Sequence, residues 1–284
     1  MKFLSRYKRV LSNLGFILGF IFLSVLSYAA YDFYIRPYGN EVSQASNATT
    51  EDQDYSDCTV LGLNLHGALL TYVPEGNEDD PLTEKDLTGS EEIVAALNMA
   101  KEDENIKGVM IEVDSPGGVP VAGEEISKAI KELGKPTVAV IRQSGTSAAY
   151  WAISTADRIF ASRNSDVGSI GVTMSYLENI DKDKKYVQLS SGKYKDTGNP
   201  DKPLSDDEKA LLLRDIKIVH ENFIEDIAAN RGISIESVKA IADGSSVLGD
   251  KAQSLKLIDE IGSWTEAEKY LGDKIGEKPK VCWY

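Results

Sequence analysis

The tightest constraint on this chain is the order strand, turn, helix, strand, helix, strand between residues 107 and 161. Residues 107–113, Lys-Gly-Val-Met-Ile-Glu-Val, are largely apolar and β-branched, the composition of a strand covered on both faces. Asp114-Ser115-Pro116-Gly117-Gly118 follows, and its proline and glycines predict a turn. A helix is expected over 124–133, a strand over 136–141, a helix over 146–155 and a strand over 158–161. Strands alternating with helices imply βαβ units and a mainly parallel sheet, hence an α/β fold. Upstream, 60–65 reads as a strand. Residues 91–100 read as a helix with Ile93, Ala96, Leu97 and Ala100 on one face. Downstream, 205–230 reads as a long amphipathic helix opened by a capping box, Ser205 to Glu208, with shorter helices at 235–242 and 251–255. No internal repeat is present.

The start of the chain carries a different signal. Residues 10–31 hold no charge and are long enough to cross a hydrocarbon core of about 30 Å at about 1.5 Å per residue. Lys2, Arg6, Lys8 and Arg9 precede this run and Asp32 follows it, so residues 1–9 are expected in the cytoplasm and everything after Tyr31 outside. The expectation is a single-pass signal anchor in the cell membrane. The competing reading is a cleaved signal peptide, for which Ser27-Tyr28-Ala29 has the spacing. Residues 32–57 are polar and read as a flexible stalk that includes the sequon Asn47-Ala48-Thr49. Residues 58–284 are left as one extracytoplasmic domain, with an acidic loop at 75–86.

Net charge is −14, which argues against a nucleic-acid partner, because phosphates require lysine and arginine neutralisation. Cys58 and Cys282 lie at opposite ends of the domain with no CxxC pair, so a zinc site is not expected. A disulfide between them is one alternative; two free thiols are the expectation.

Ser147 stands where an expected strand meets an expected helix, which exposes a hydroxyl at the C-terminal edge of a sheet. It reads either as a nucleophile or as an ordinary helix N-cap. Gly117 and Gly118 could supply N–H groups for an oxyanion hole or merely make a tight turn. Ser115, a rival nucleophile, reads as a turn stabiliser. A lysine can serve as general base only as the free amine, a form that removal from water favours. Lys195 and Lys193 are both candidates, and if the segment is extended they point the same way, so periodicity does not choose between them. His66 reads as structural and His220 as solvated.

Taken together these segments resemble the signal peptide peptidase A family, membrane-bound serine–lysine peptidases related in fold to the Clp protease subunit and to crotonase. The match runs over residues 107–262. Asp114-Ser115-Pro116-Gly117-Gly118 is similar to the family's D/N-S-P-G-G turn, and Thr146-Ser147-Ala148-Ala149-Tyr150-Trp151 to its A-S-G-G-Y-Y segment. Asp166-Val167-Gly168-Ser169-Ile170-Gly171-Val172 matches its V-G-S-I-G-V signature. Ser191-Gly192-Lys193-Tyr194-Lys195-Asp196-Thr197-Gly198-Asn199-Pro200 resembles its S-G-x-Y-K-D-x-G-x-P stretch. Asp243-Gly244, Ala252 and Leu257-Ile258-Asp259-Glu260-Ile261-Gly262 resemble its closing pattern.

The resemblance implies a crotonase-like (Clp protease/crotonase) stacked ββα superhelix carried on one transmembrane helix. It implies Ser147 as nucleophile and selects Lys195 as its base. It further implies an oxyanion hole from Gly117 or Gly118 and Ala148, with Ser169 orienting the lysine amine. Neither metal nor organic cofactor is required. The implied substrates are peptides in or near the membrane, such as cleaved signal peptides, and the implied assembly is a homo-oligomeric ring or dome in which serine and lysine can come from neighbouring protomers. One departure is visible: Ala148-Ala149 stands where the family has Gly-Gly, and alanine disfavours positive φ. That departure motivates an alternative, a catalytically weak relative acting as a membrane-associated scaffold. An acyl-CoA hydratase or isomerase on the same fold is a third reading, which export across a membrane disfavours.

Overall fold

Three long strands, whose mutual register slips partway along, organise the domain. The computed structural model describes residues 57–73, 87–180 and 185–284, all within the compact unit Tyr55–Tyr284. The expected anchor at 10–31, the stalk up to residue 56 with its sequon, and the acidic loop at 75–86 lie outside the described residues. Among the described residues no helix is long and apolar enough to cross a membrane.

The strands are β1 (Val60–Leu70), β2 (Leu87–Gly89), β3 (Gly108–Gly118), β4 (Thr137–Thr146), β5 (Arg158–Ala161), β6 (Asp166–Gly168), β7 (Ser246–Leu248), β8 (Glu260–Ile261) and β9 (Val281–Trp283). The helices are α1 (Ser90–Glu102), α2 (Pro120–Leu133), α3 (Ala148–Ile153), α4 (Asp206–Arg231), α5 (Ile235–Lys239), α6 (Gly249–Ser254) and α7 (Trp264–Ile275). Every strand pair is parallel except β6 with β7. The expected α/β fold with a mainly parallel sheet is therefore present.

The first halves of β1, β3 and β4 pair with one another, with β9 beside β1 and β5 beside β4, and β8 pairs in turn with β5. Their second halves take different outer neighbours, β2 beside β1 and β6 beside β4, and β7 pairs in turn with β6. The change occurs where the register slips, between His66 and Ala68 and between Val113 and Ser115. Beyond it β3 and β4 run almost directly into helices: Val119 alone joins β3 to α2, and Ser147 alone joins β4 to α3.

The turn expected at 114–118 is corrected here. These residues stay extended at the end of β3, because Gly117 and Gly118 pair with Ala68 and Leu69 on one side while Ser115 pairs with Gly145 on the other. Neighbouring strands override the local preference of Pro-Gly-Gly for a turn.

Both faces of the sheet are covered where the first halves of the long strands lie, as their near-continuous apolar sequences require. Leu61, Leu63, Val109, Ile111, Ala139 and Ile141 belong to the main core with residues of α1, α2 and α3. Val60, Met110, Val138, Val140 and Phe160 form a second core with Ala267 and Leu271 of α7. The long helix α4 begins as the sequence implies, with the Ser205–Glu208 capping box formed.

Cys58 and Cys282 form a disulfide with Cα atoms 5.8 Å apart, which corrects the expectation of free thiols. Pairing of β9 with β1 brings them together: Cys282 lies opposite Leu61, and Thr59 alone separates Cys58 from β1.

Candidate active site

Ser147 is one of three non-glycine described residues with positive φ, at φ 53° and ψ −130°. A side chain held there is strained by about 1–3 kcal/mol, and such strain survives only where surrounding structure imposes it. The imposing contacts are local. The Ser147 N–H donates to the Gly168 carbonyl at 2.7 Å, and its carbonyl accepts from Trp151 N at 3.0 Å. Helix α3 is buried at every position, so the backbone on the far side of the bend cannot relax. Although Ser147 sits at the N-cap position of α3, its hydroxyl makes no capping bond. The side chain is half-buried and is not used to stabilise the helix end.

Gly117 is brought against this serine. At φ +95°, a Cβ on Gly117 would lie 2.7 Å from the Ser147 Cβ and 2.8 Å from both Ala148 N and Thr146 O. The position needs glycine for its backbone conformation and for its space. Of the expected oxyanion donors, the Gly117 N–H is already committed to Ser115 Oγ at 3.1 Å. Gly118 packs against the backbone of Leu69. Ala148 has no positive φ, so its departure from glycine imposes no backbone strain. Ser115 is fully buried and donates to the Gly67 carbonyl at 2.5 Å, which agrees with a structural rather than a nucleophilic role.

Ser169 also adopts positive φ, at 51°, and its hydroxyl donates to the Gly244 carbonyl at 2.8 Å. The loop around Gly244 can come this close because Gly171 has no side chain; a Cβ there would lie 2.8 Å from the Gly244 Cα. Within the chain, then, Ser169 is bonded to the segment before β7.

Lys195 lies in a run of turns at residues 193–198, with its side chain exposed. Among the described residues its amine has no hydrogen-bond or ion-pair partner, and nothing joins it to Ser147. Lys193, the other candidate, is occupied: its amine bonds to Asp207 at 2.5 Å and lies 5.0 Å from the Tyr194 ring centre. The Asp207 hydrogen bond raises the Lys193 pKa, which opposes a role as free amine.

His66 is structural, as expected: its Nε2 bonds to Glu112 Oε1 at 2.9 Å. His220 is not solvated as expected. The residue is half-buried on the inner side of α4, and its Nε2 is buried with no hydrogen-bond partner among the described residues. Tyr150 is fully buried, with its hydroxyl donating to the Leu257 carbonyl at 2.7 Å, and burial pushes its phenol pKa up. It serves to hold α3.

The sequence reading passed over one charged group. Glu112 is only 8 % exposed, in the middle of β3. Its Oε1 accepts from His66 and, at 3.1 Å, from Arg142 Nη1. The signal was an acidic residue set between the apolar residues Ile111 and Val113 of β3.

Comparison with known proteins identifies the family. A protein of Methanocaldococcus jannaschii named as a protease is 33% identical over 201 residues, covering 69% of this chain and 65% of the relative. A protein of Enterococcus faecium named as signal peptide peptidase SppA is 28% identical over 233 residues, covering 78% of this chain and 66% of the relative. The chain thus spans about two thirds of the length of each. Among solved structures, a serine-to-alanine mutant of the 1510-N membrane-bound stomatin-specific protease superposes with a TM-score of 0.50 at 12% identity. That match covers 80% of this chain and 98% of the other, and it shows a shared fold. The model of peptidase family S49 matches residues 129–276, more than half of the chain and including Ser147, Ser169 and Lys195. This protein therefore belongs to peptidase family S49, as its signal peptide peptidase A motifs implied.

Proposed function

We propose that this protein is a membrane-anchored serine endopeptidase of crotonase-like superhelical fold, in which Ser147 and Lys195 form the catalytic dyad. The observation that carries the reading is the strained Ser147, half-buried, making no capping bond and lying against a glycine that tolerates no side chain. The free Lys195 amine takes the proton from Ser147 Oγ as that oxygen attacks the scissile carbonyl. The resulting ammonium returns the proton to the leaving amine. Water then hydrolyses the acyl-enzyme by the same proton path. Gly118 and Ala148 offer N–H groups to the developing oxyanion; loss of one such donor raises the barrier by about 3 kcal/mol. Ser169, already donating to Gly244, can accept from a lysine amine with its remaining lone pairs.

Lys195 has no partner among the described residues and lies on a segment whose apolar side chains are open: Leu177 is 84% and Leu189 93% exposed. Large exposed apolar surface marks an interaction site. This supports a ring or dome in which the segment packs on a neighbouring protomer and delivers Lys195 to a Ser147. The disulfide supports an extracytoplasmic domain, since such bonds persist in oxidising compartments. Residues 10–31 supply the anchor, and peptides at the membrane, such as cleaved signal peptides, are the substrates. The scaffold alternative loses its motive, because Ala148 occupies an ordinary backbone conformation.

The test is proteolysis of an unstructured protein by the full chain in detergent, with the Ser147→Ala, Lys195→Ala and Lys193→Ala variants alongside. Activity should fall by about a thousandfold or more in the first two and persist in the third. A fluorophosphonate should leave its adduct on Ser147. Equal activity in all four proteins would end the dyad proposal.

A further inference from the structure

We infer that the buried carboxylate of Glu112 is a positioning residue, clamping β1, β3 and β4 where their register slips and so fixing Ser147 against Gly117. The inference rests on the reading of Ser147 as nucleophile.

One oxygen of Glu112 takes a hydrogen bond from each neighbouring long strand, from His66 of β1 at 2.9 Å and from Arg142 of β4 at 3.1 Å. These residues stand beside the points where the backbone ladders slip. A slipped register forfeits regular backbone bonds, and side chains here replace them. Two further links act at the same level: Ser144 N donates to Asp114 Oδ1 at 3.2 Å, and Ser115 Oγ to the Gly67 carbonyl. Downstream of this belt each strand carries one part of the site. Strand β4 leads into Ser147, β3 ends in Gly117 and Gly118, and Leu69 of β1 backs Gly118. The placement of the three strands relative to one another at this belt therefore sets the distance between nucleophile and oxyanion donors.

Stability alone does not account for a charge at this place. A buried ion pair is on average no more stabilising than apolar groups of the same volume, whereas a carboxylate left without partners is strongly unfavourable. What the charge provides is direction: two donors converging on a single oxygen fix three backbones relative to one another. Misplacing catalytic groups by about 1 Å costs on the order of a hundredfold in rate.

The experiment compares the full chain in detergent with Glu112→Gln, Arg142→Met, His66→Leu and the Glu112→Gln/Arg142→Met double variant. The readouts are kcat, KM, melting temperature and the rate of fluorophosphonate addition to Ser147. We expect kcat and the labelling rate to fall about ten- to a hundredfold in Glu112→Gln and Arg142→Met. The double variant should fall little further than either single one, KM should change by less than about twofold, and Arg142→Lys should recover part of the loss. A folded Glu112→Gln protein with wild-type kcat would overturn the inference, as would a loss of activity that only follows loss of melting temperature. Should Glu112→Gln fail to fold, Arg142→Met and His66→Leu carry the same test, because both side chains reach the surface. Absence of Ser147-dependent labelling in the unmodified protein is a separate result; it would remove the nucleophile, and the clamp with it.

Discussion

Gly117 and Gly134 both have positive φ, +95° and +72°, yet they answer to different demands. A methyl group on Gly117 would meet the Ser147 Cβ and backbone atoms of residues 146 and 148 at 2.7–2.8 Å, and none of these is the movable end of a flexible side chain. Gly134 closes α2 and has nothing within 4 Å of the same position. Gly117→Ala should therefore lower stability by about 2–3 kcal/mol and activity by a hundredfold or more, roughly the effect of a 1 Å displacement of the nucleophile. Gly134→Ala should lower stability by about 1–2 kcal/mol, from backbone strain alone, and leave activity intact. Urea midpoints and peptidase rates of the two variants check both halves of the argument. Equal losses of activity would mean that proximity to Ser147 is not what constrains Gly117. The same local logic explains why Ala148 is tolerated. The strain of the bend is concentrated in Ser147, so the next residue already has an ordinary helical backbone.

Helix α4 shows how an element start can be tied to pH. Glu208 is 5% exposed and bonds to the Lys202 amine at 2.5 Å and to the Ser205 N–H and hydroxyl. The Lys202 hydrogen bond, then those of Ser205, push its carboxyl down from 4.5 to about 2. A lowered folded-state pKa means the stabilisation is complete above the unfolded value and lost as pH falls through the folded one. Amide protection at residues 205–209 should therefore hold at pH 5 and decay between about pH 4.5 and 2, as hydrogen exchange would show, with Glu208→Gln lacking this dependence. That capping box was legible from Ser205 and Glu208 alone. The first halves of the long strands and α1 were equally plain, because apolar periodicity and β-branched runs speak directly to burial. Edge strands of two or three residues were not, since pairing partners rather than composition define them. Helix α7 was overlooked even though Ser263 and Glu266 form a second capping box and Trp264, Ala267 and Leu271 share a face. Pro116-Gly117-Gly118 was misread as a turn because only the neighbouring strands hold it extended. At the site, Ser147 and Gly117 could each be picked out by residue type. Their contact, and the occupation of Lys193 by Asp207, depend on pairings far apart in sequence.

The whole domain is closed by one covalent link across 224 positions of chain. Cys58 precedes the first strand and Cys282 lies in the last, so the bond joins both ends of the fold at the edge where β9 meets β1. This is the end where the parallel strands start, while Ser147 follows the opposite end of β4. Closing so long a loop removes unfolded-state entropy worth about 5 kcal/mol in the chain-entropy picture, and roughly 2–5 kcal/mol is the usual measured effect. Two independent layers also depend on this edge: Trp283 of β9 packs edge-on against Trp264 of α7, and α7 covers the second core. The Cys58→Ser/Cys282→Ser protein should accordingly unfold at a lower urea concentration, by an amount corresponding to about 2–5 kcal/mol, while retaining its peptidase rate under native conditions. Reductant should move the unmodified protein towards the same midpoint and leave the double variant unchanged. If the midpoint does not move although thiol titration shows the bond to be open, the hydrogen bonds of β9 and the Trp264–Trp283 contact already hold the two ends together without the bond.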